Sequence, residues 1–195
     1  MARILNCNFS PADCLITLTV SGEHEDKLQS LGAEVRKFLR RMKRATGADT
    51  KWLFVEADKD GSTGESERPH CHMVITGTGL RFENGSWWAG KKKMTDLWTI
   101  GAVNVKNLFR QDDYTGLAQY LCAQAKCGEN EKKWTSSRNM IKPIVRESIT
   151  VQSGPIRVPK GAKLLHEGEW DIETGAHYIR YVKPEGRGKH ELQKD

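Results

Sequence analysis

A chain of 195 residues, 37% of them hydrophobic, can bury one core of ordinary size, and its formal charge of +6 at pH 7 favours a polyanionic partner. No apolar run is long enough to cross a bilayer, and the opening MARILNCNFSPADC lacks the apolar stretch of a secretory signal. Five cysteines (Cys7, Cys14, Cys71, Cys122 and Cys127), odd in number and without a CxxC pair, argue against a disulfide framework or a zinc ribbon and fit reduced thiols in a cytoplasm.

In chain order, CLITLTVSG (14–22) alternates and is rich in Leu, Ile, Thr and Val, which predicts a strand ended by Gly22. From Glu25 to Thr46 the apolar residues Leu28, Leu31, Val35, Phe38, Leu39 and Met42 recur every three or four positions. That spacing predicts an amphipathic helix stopped by Gly47. Its outer face carries Arg36, Lys37, Arg40, Arg41, Lys43 and Arg44, which suit either solvent or phosphate. KWLFVEA (51–57) and HCHMVITG (70–77) read as the next two strands, joined by the polar loop DKDGSTGESERP. The loop is not a phosphate-binding P-loop, because the Lys-Ser/Thr ending is missing.

GLRFENGSWWAG predicts a hairpin around Asn84-Gly85, with Trp87 and Trp88 suited to stacking on bases or packing on the sheet. A short helix over Met94–Trp98 and a strand over 101–108 follow. Residues 113–127 predict a second helix, opened by Asp112 or Asp113 and closed by Gly128. KPIVRESIT (142–150) reads as a strand, and KLLHEGEWDI with HYIRYVKP as a C-terminal hairpin before a charged tail. Strands and helices are interspersed and several strands have hairpin links. The expected class is α+β, an antiparallel sheet with helices mainly on one face.

Two features carry chemistry. On the strand HCHMVITG, His70, His72 and Val74 share one face while Cys71, Met73 and Ile75 share the other. Two neutral imidazoles one strand period apart can reach a single divalent ion, though polar residues at a strand end show the same pattern. Glu56, the acid at the end of an apolar strand, is the candidate third ligand, since a carboxylate there is costly unless paired or ligating. The second feature is Tyr120. On the helix over 113–127, Tyr114 falls on the apolar stripe with Leu117, Ala118, Leu121, Cys122 and Ala125, whereas Tyr120 falls opposite it. A phenol can attack a metal-polarised phosphodiester, and the phosphotyrosine ester conserves the energy of the cut bond without ATP.

RPHCHMVI, preceded by WLFVEAD and followed by LWTIGAVNV, DYTGLAQYLCAQAK and KKWTSSRNMIKPIV, resembles the HUH endonuclease superfamily, in particular the rolling-circle replication initiators of small bacteriophages and plasmids. The resemblance implies a five-stranded antiparallel sheet of the split βαβ, ferredoxin-like kind over residues 1–150, with the histidines on a central strand. Residues 151–195 are then a C-terminal hairpin extension and tail. It implies that Glu56, His70 and His72 bind Mg2+ or Mn2+. Tyr120 would cut single-stranded DNA at a replication origin, keep the 5′ end and release a 3′-OH for priming. Such initiators place a lysine three or four residues after the tyrosine. Here Ala123 and Gln124 stand there, which leaves Lys126 for the catalytic lysine, with Lys132 or Lys133 as substitutes.

The resemblance also makes Lys132, Lys133, Trp134, Ser136, Ser137, Arg138 and Asn139 a DNA contact, a composition that suits phosphate binding and base stacking. Its further implications are a host bacterial cytoplasm, no membrane, and a host helicase and polymerase as partners. The competing readings are a relaxase or single-tyrosine transposase with the same chemistry, a non-catalytic DNA-binding relative, and a metal-dependent nuclease that activates water.

Overall fold

The computed structural model describes the chain except for residues 27, 60–62, 110, 112, 127–131, 145–156, 169–177 and 184–195. In order its elements are α1 (Ala2–Asn8), β1 (Cys14–Val20), α2 (Gly22–Glu25), α3 (Leu31–Thr46), β2 (Trp52–Lys59), β3 (Ser66–Ile75), β4 (Leu80–Glu83), β5 (Ser86–Ala89), β6 (Lys92–Lys93), α4 (Met94–Leu97), β7 (Gly101–Asn107), α5 (Thr115–Gln124), β8 (Thr135–Ser136), β9 (Lys163–Glu167) and β10 (Ile179–Val182). The chain divides into two units, Met1–Ile144 and Val145–Asp195.

The first unit is built on a five-stranded antiparallel sheet in the order β7-β1-β3-β2-β8. Alternation decides which side chains go where. Cys14, Ile16, Leu18 and Val20 of β1 turn to one face and join Phe54, Cys71, Met73 and Ile75 in a core closed by α3 and α4. Leu53, Val55 and Val74 turn to the other face and join Leu5, Phe9, Leu108, Tyr114, Ala118 and Leu121 from α1, α5 and the segments beside them. The long helix therefore covers one face, and two short helices sit on the other.

Helix α3 begins six residues later than its apolar spacing predicts, because Ser30 caps it. The Ser30 hydroxyl accepts a hydrogen bond from the Ala33 amide at 3.3 Å. It stops at Gly47, which takes a left-handed φ of 67° and donates its amide to the Lys43 carbonyl at 2.9 Å. The Asn84-Gly85 turn forms with φ of 48° and 73°, the two positive values a tight hairpin turn needs, and β6 adds a third strand to that hairpin. Strand β3 starts four residues before the expected boundary and shifts register against β2 between Ala57 and Lys59. Helix α5 is shorter than expected at both ends, since Ala125 is already extended.

Helix α1 is short and too weakly patterned to be read from spacing alone, yet it holds α5 in place. The Asn6 Oδ1 atom accepts a hydrogen bond from the Tyr114 amide at 2.7 Å, and Asn8 exchanges two with the backbone of Ile141 at 2.8 Å each. In the second unit, β9 and β10 pair antiparallel with a register shift between Arg180 and Tyr181. Of the strand expected over 142–150, residues 142–144 have no regular structure and the rest lie outside the described residues.

Gly101 opens β7 beside β1, where a methyl group would run into the Thr19 carbonyl oxygen and the Ser21 amide. Because the obstacle is backbone, Gly101→Ala should cost about 1–3 kcal/mol in unfolding free energy by denaturant titration.

Candidate functional site

Strand β3 is the middle of the sheet, so its two faces are both covered and its side chains have only two directions to take. The register sets His72 opposite Thr17 of β1 and Val55 of β2, and His70 opposite Thr19 and Ala57. Both imidazoles are buried, at 5% and 6% exposure, with ring centroids 4.8 Å apart in an edge-on arrangement. Cys71 between them points into the opposite core, where burial and the nearby Glu56 charge push its thiol well above the ordinary range.

Hydrogen bonds fix the ring states. The Nδ1–H of His70 donates to the Arg68 carbonyl at 2.8 Å, which leaves Nε2 with its lone pair. His72 has Nδ1 3.2 Å from the Thr17 hydroxyl and Nε2 3.3 Å from the Tyr120 hydroxyl. The Tyr120 ring lies edge-on to His72 with centroids 5.3 Å apart. Burial, with a smaller contribution from His70, lowers the His72 pKa to about 4, so the imidazole is neutral at physiological pH.

Tyr120 reaches this point because α5 packs Ala118 and Leu121 against the sheet and leaves residue 120 at the cleft side, 43% exposed. One helical turn on, Gln124 is only 7% exposed and lines the same cleft with Thr17, Thr19, Glu67 and Arg68. Tyr114 is the opposite case. It is buried in the core, and burial raises its pKa, so it is no second nucleophile.

Two expectations meet a different arrangement. Glu56 pairs in register with Cys71, so its side chain leaves the sheet on the face opposite the histidines. Its oxygen lies against Gly32 in the first turn of α3, where a Cβ would come within 2.5 Å of Oε1. The positive end of α3 thus faces a carboxylate that no metal on the histidine face can reach. Lys126 follows the end of α5 and pairs with Asp58, Nζ to Oδ2 at 2.6 Å, and that partner raises its pKa. It is not among the residues that line the tyrosine cleft.

Sequence reasoning passed over Glu67, whose Oε2 is 3.7 Å from His70 Nε2. A residue three positions back on a regular strand would face away. The register shift after Ala57 brings it round. The two imidazoles and this carboxylate are the donor types of a divalent-cation site. Among the described residues, no three His, Cys, Asp or Glu side chains yet stand close enough together to hold an ion, so Glu67 would have to rotate inward.

The proposed DNA segment lies at the β8 edge. Ser136 pairs with Leu53, while the Ser137 amide donates to the Trp52 carbonyl at 2.9 Å and its hydroxyl accepts from the Trp52 amide at 3.1 Å. Lys132, Lys133 and Trp134 line a depression with Phe54 and Glu56, and Arg138 and Asn139 line another with Trp52. None of the seven lines the tyrosine cleft.

A family model described as replication-associated protein ORF2 matches residues 13–126, more than half of the chain. The chain belongs to this family. Replication-associated proteins of this kind are rolling-circle replication initiators, which entails DNA binding, and the matched span contains His70, His72 and Tyr120. No curated protein and no solved structure matches the chain. Among the described residues no helix is long and apolar enough to cross a membrane.

The depressed His72 pKa has a thermodynamic consequence. Unfolded, this imidazole titrates near 6.5; folded, near 4. Its neutral state therefore supports the fold fully above pH 6.5, and that support is lost as pH falls toward 4. Denaturant titrations in chelator should show up to about 3 kcal/mol of stability lost over this window, and His72→Gln should flatten that part of the profile.

Proposed function

We propose that this replication-associated protein nicks single-stranded DNA at an origin, with the Tyr120 hydroxyl as nucleophile, in the manner of the HUH endonucleases. The observation that supports it most is the approach of that hydroxyl to His72 Nε2, 3.3 Å away in a cleft shared with His70 and Arg68. The phenolic oxygen bonds to phosphorus and the P–O3′ bond breaks. Its electron pair leaves on O3′, which takes up a proton to become the primer 3′-OH. The 5′ end stays on the enzyme as a phosphotyrosine, and attack by a 3′-OH reverses the step to rejoin strands.

An unperturbed phenol ionises near pH 10, so its proton needs an acceptor at the moment of attack. Neutral His72 Nε2 is within hydrogen-bond reach of it, and the Thr17 hydroxyl holds the far side of the ring. Arg68 is the guanidinium in the cleft lining and binds the phosphate oxygens. Gln124, where a lysine would be expected, can donate hydrogen bonds to the same group but adds no charge. Mg2+ or Mn2+ held by His70, His72 and Glu67 would supply Lewis acidity at the phosphate. Host helicase and polymerase would unwind and extend the product in a bacterial cytoplasm.

The second reading is a DNA-binding relative without catalysis. The engagement of Lys126 by Asp58, with no lysine among the residues lining the cleft, favours it.

An origin oligonucleotide incubated with the protein and Mn2+ and run on a denaturing gel separates these readings. A protein–DNA adduct is expected, reduced at least about a thousandfold in Tyr120→Phe. Lys126→Met should leave the adduct yield within about threefold. A mobility shift without cleavage would establish the binding relative, and cleavage without an adduct the water nuclease. Mn2+ binding followed by electron paramagnetic resonance should weaken about tenfold or more in Glu67→Gln and His70→Ala, and Glu56→Gln should leave it unchanged.

A further inference from the structure

The sheet has a second polar surface, on the face away from the tyrosine. Trp52 leaves β2 on the same side as Phe54 and Glu56, whereas Leu53 and Val55 face α5. Its indole stacks on Phe54 with centroids 5.6 Å apart and planes at 25°, and it lines a depression between α3 and the segment after β8. Arg36, Arg40 and Lys43 of α3 line it from one side, at positions that fall on one stripe of the helix. Arg138 lines it from the other.

The charge there is lopsided. Four cations meet one carboxylate, Asp49, which gives a formal balance of +3. Asp49 is already engaged by Lys43 at 2.9 Å and by the Asn139 amide at 3.2 Å. Among the described residues Arg36, Arg40 and Arg138 have no acidic partner. Three uncompensated guanidinium groups around a half-buried indole are the ingredients of a site that tracks a phosphate backbone and stacks an unpaired base. A duplex offers no free base face to the indole, so the occupant is single-stranded.

We propose that this groove is a second DNA site, which holds a single-stranded arm of the origin on the opposite face of the sheet from the cleavage cleft. The inference rests on DNA being the substrate, and it assigns α3 the task of retaining the strand while Tyr120 acts. Because the sites lie on different faces and share no lining residue, both can be filled at once.

The test is fluorescence anisotropy of the full chain with labelled oligothymidylate of about 30 nucleotides across a salt series. Replacing Arg36, Arg40 and Arg138 together with alanine should weaken binding at least tenfold and lower the slope of log affinity against log salt by about two. The same three changed to lysine should keep that slope, which separates charge from misfolding. Tyr120→Phe should bind as the unaltered chain does, so a failure of the cleavage reading leaves this result standing. Unchanged affinity and slope in the alanine variant would overturn the proposal. So would an equal loss toward a blunt duplex of the same length, since that would make the groove a general polyanion surface.

Discussion

A strand gives each side chain two directions, and in this protein the register of β3 between β1 and β2 decides what the molecule has to work with. His70 and His72 emerge on the face where β1 contributes Thr17 and Thr19 and β2 contributes Val55 and Ala57. A one-residue slip of β3 would drive both imidazoles into the apolar core and bring Cys71 and Met73 out. The alternating pattern of β1, with Cys14, Ile16, Leu18 and Val20 buried in sequence, is what forbids that slip. The chemical face is thus held in place by the packing of the opposite one.

His72 carries two demands on one lone pair. Its Nε2 receives the tyrosine hydroxyl, and the same atom is the one that the resemblance to metal-dependent endonucleases assigns to a cation. Thr17 on Nδ1 fixes the ring for either partner. The tyrosine oxygen and the ligand position are therefore coincident in space, which places any nucleophilic attack beside the point where a phosphate would be polarised.

Much of this was legible from residue spacing. The parity of His70 and His72, the alternation of β1, the cap-to-glycine span of most of α3 and the Asn84-Gly85 turn all follow from local rules that the tertiary fold leaves intact. Glu56 was misread because nearness along a strand says nothing about face. Only the pairing of Glu56 with Cys71 shows that it serves the end of α3. Glu67 was invisible for the converse reason, since the register shift that turns it toward His70 is a property of two strands and not of one. Lys126 stands close to Tyr120 in sequence but lies past the last helical turn, where the chain is extended and the side chain meets Asp58.

The contact between Asn6 and the Tyr114 amide spans 108 positions of chain. The histidine pair needs only β1, β2 and β3, all complete by residue 75. The two halves of the centre therefore mature at different times. Short-range pairing builds the imidazole face early, and the nucleophile is aligned only when the first helix docks on the last one of the domain, a closure with a far larger loop entropy to overcome. A chain caught before that step would carry the imidazoles without an aligned tyrosine.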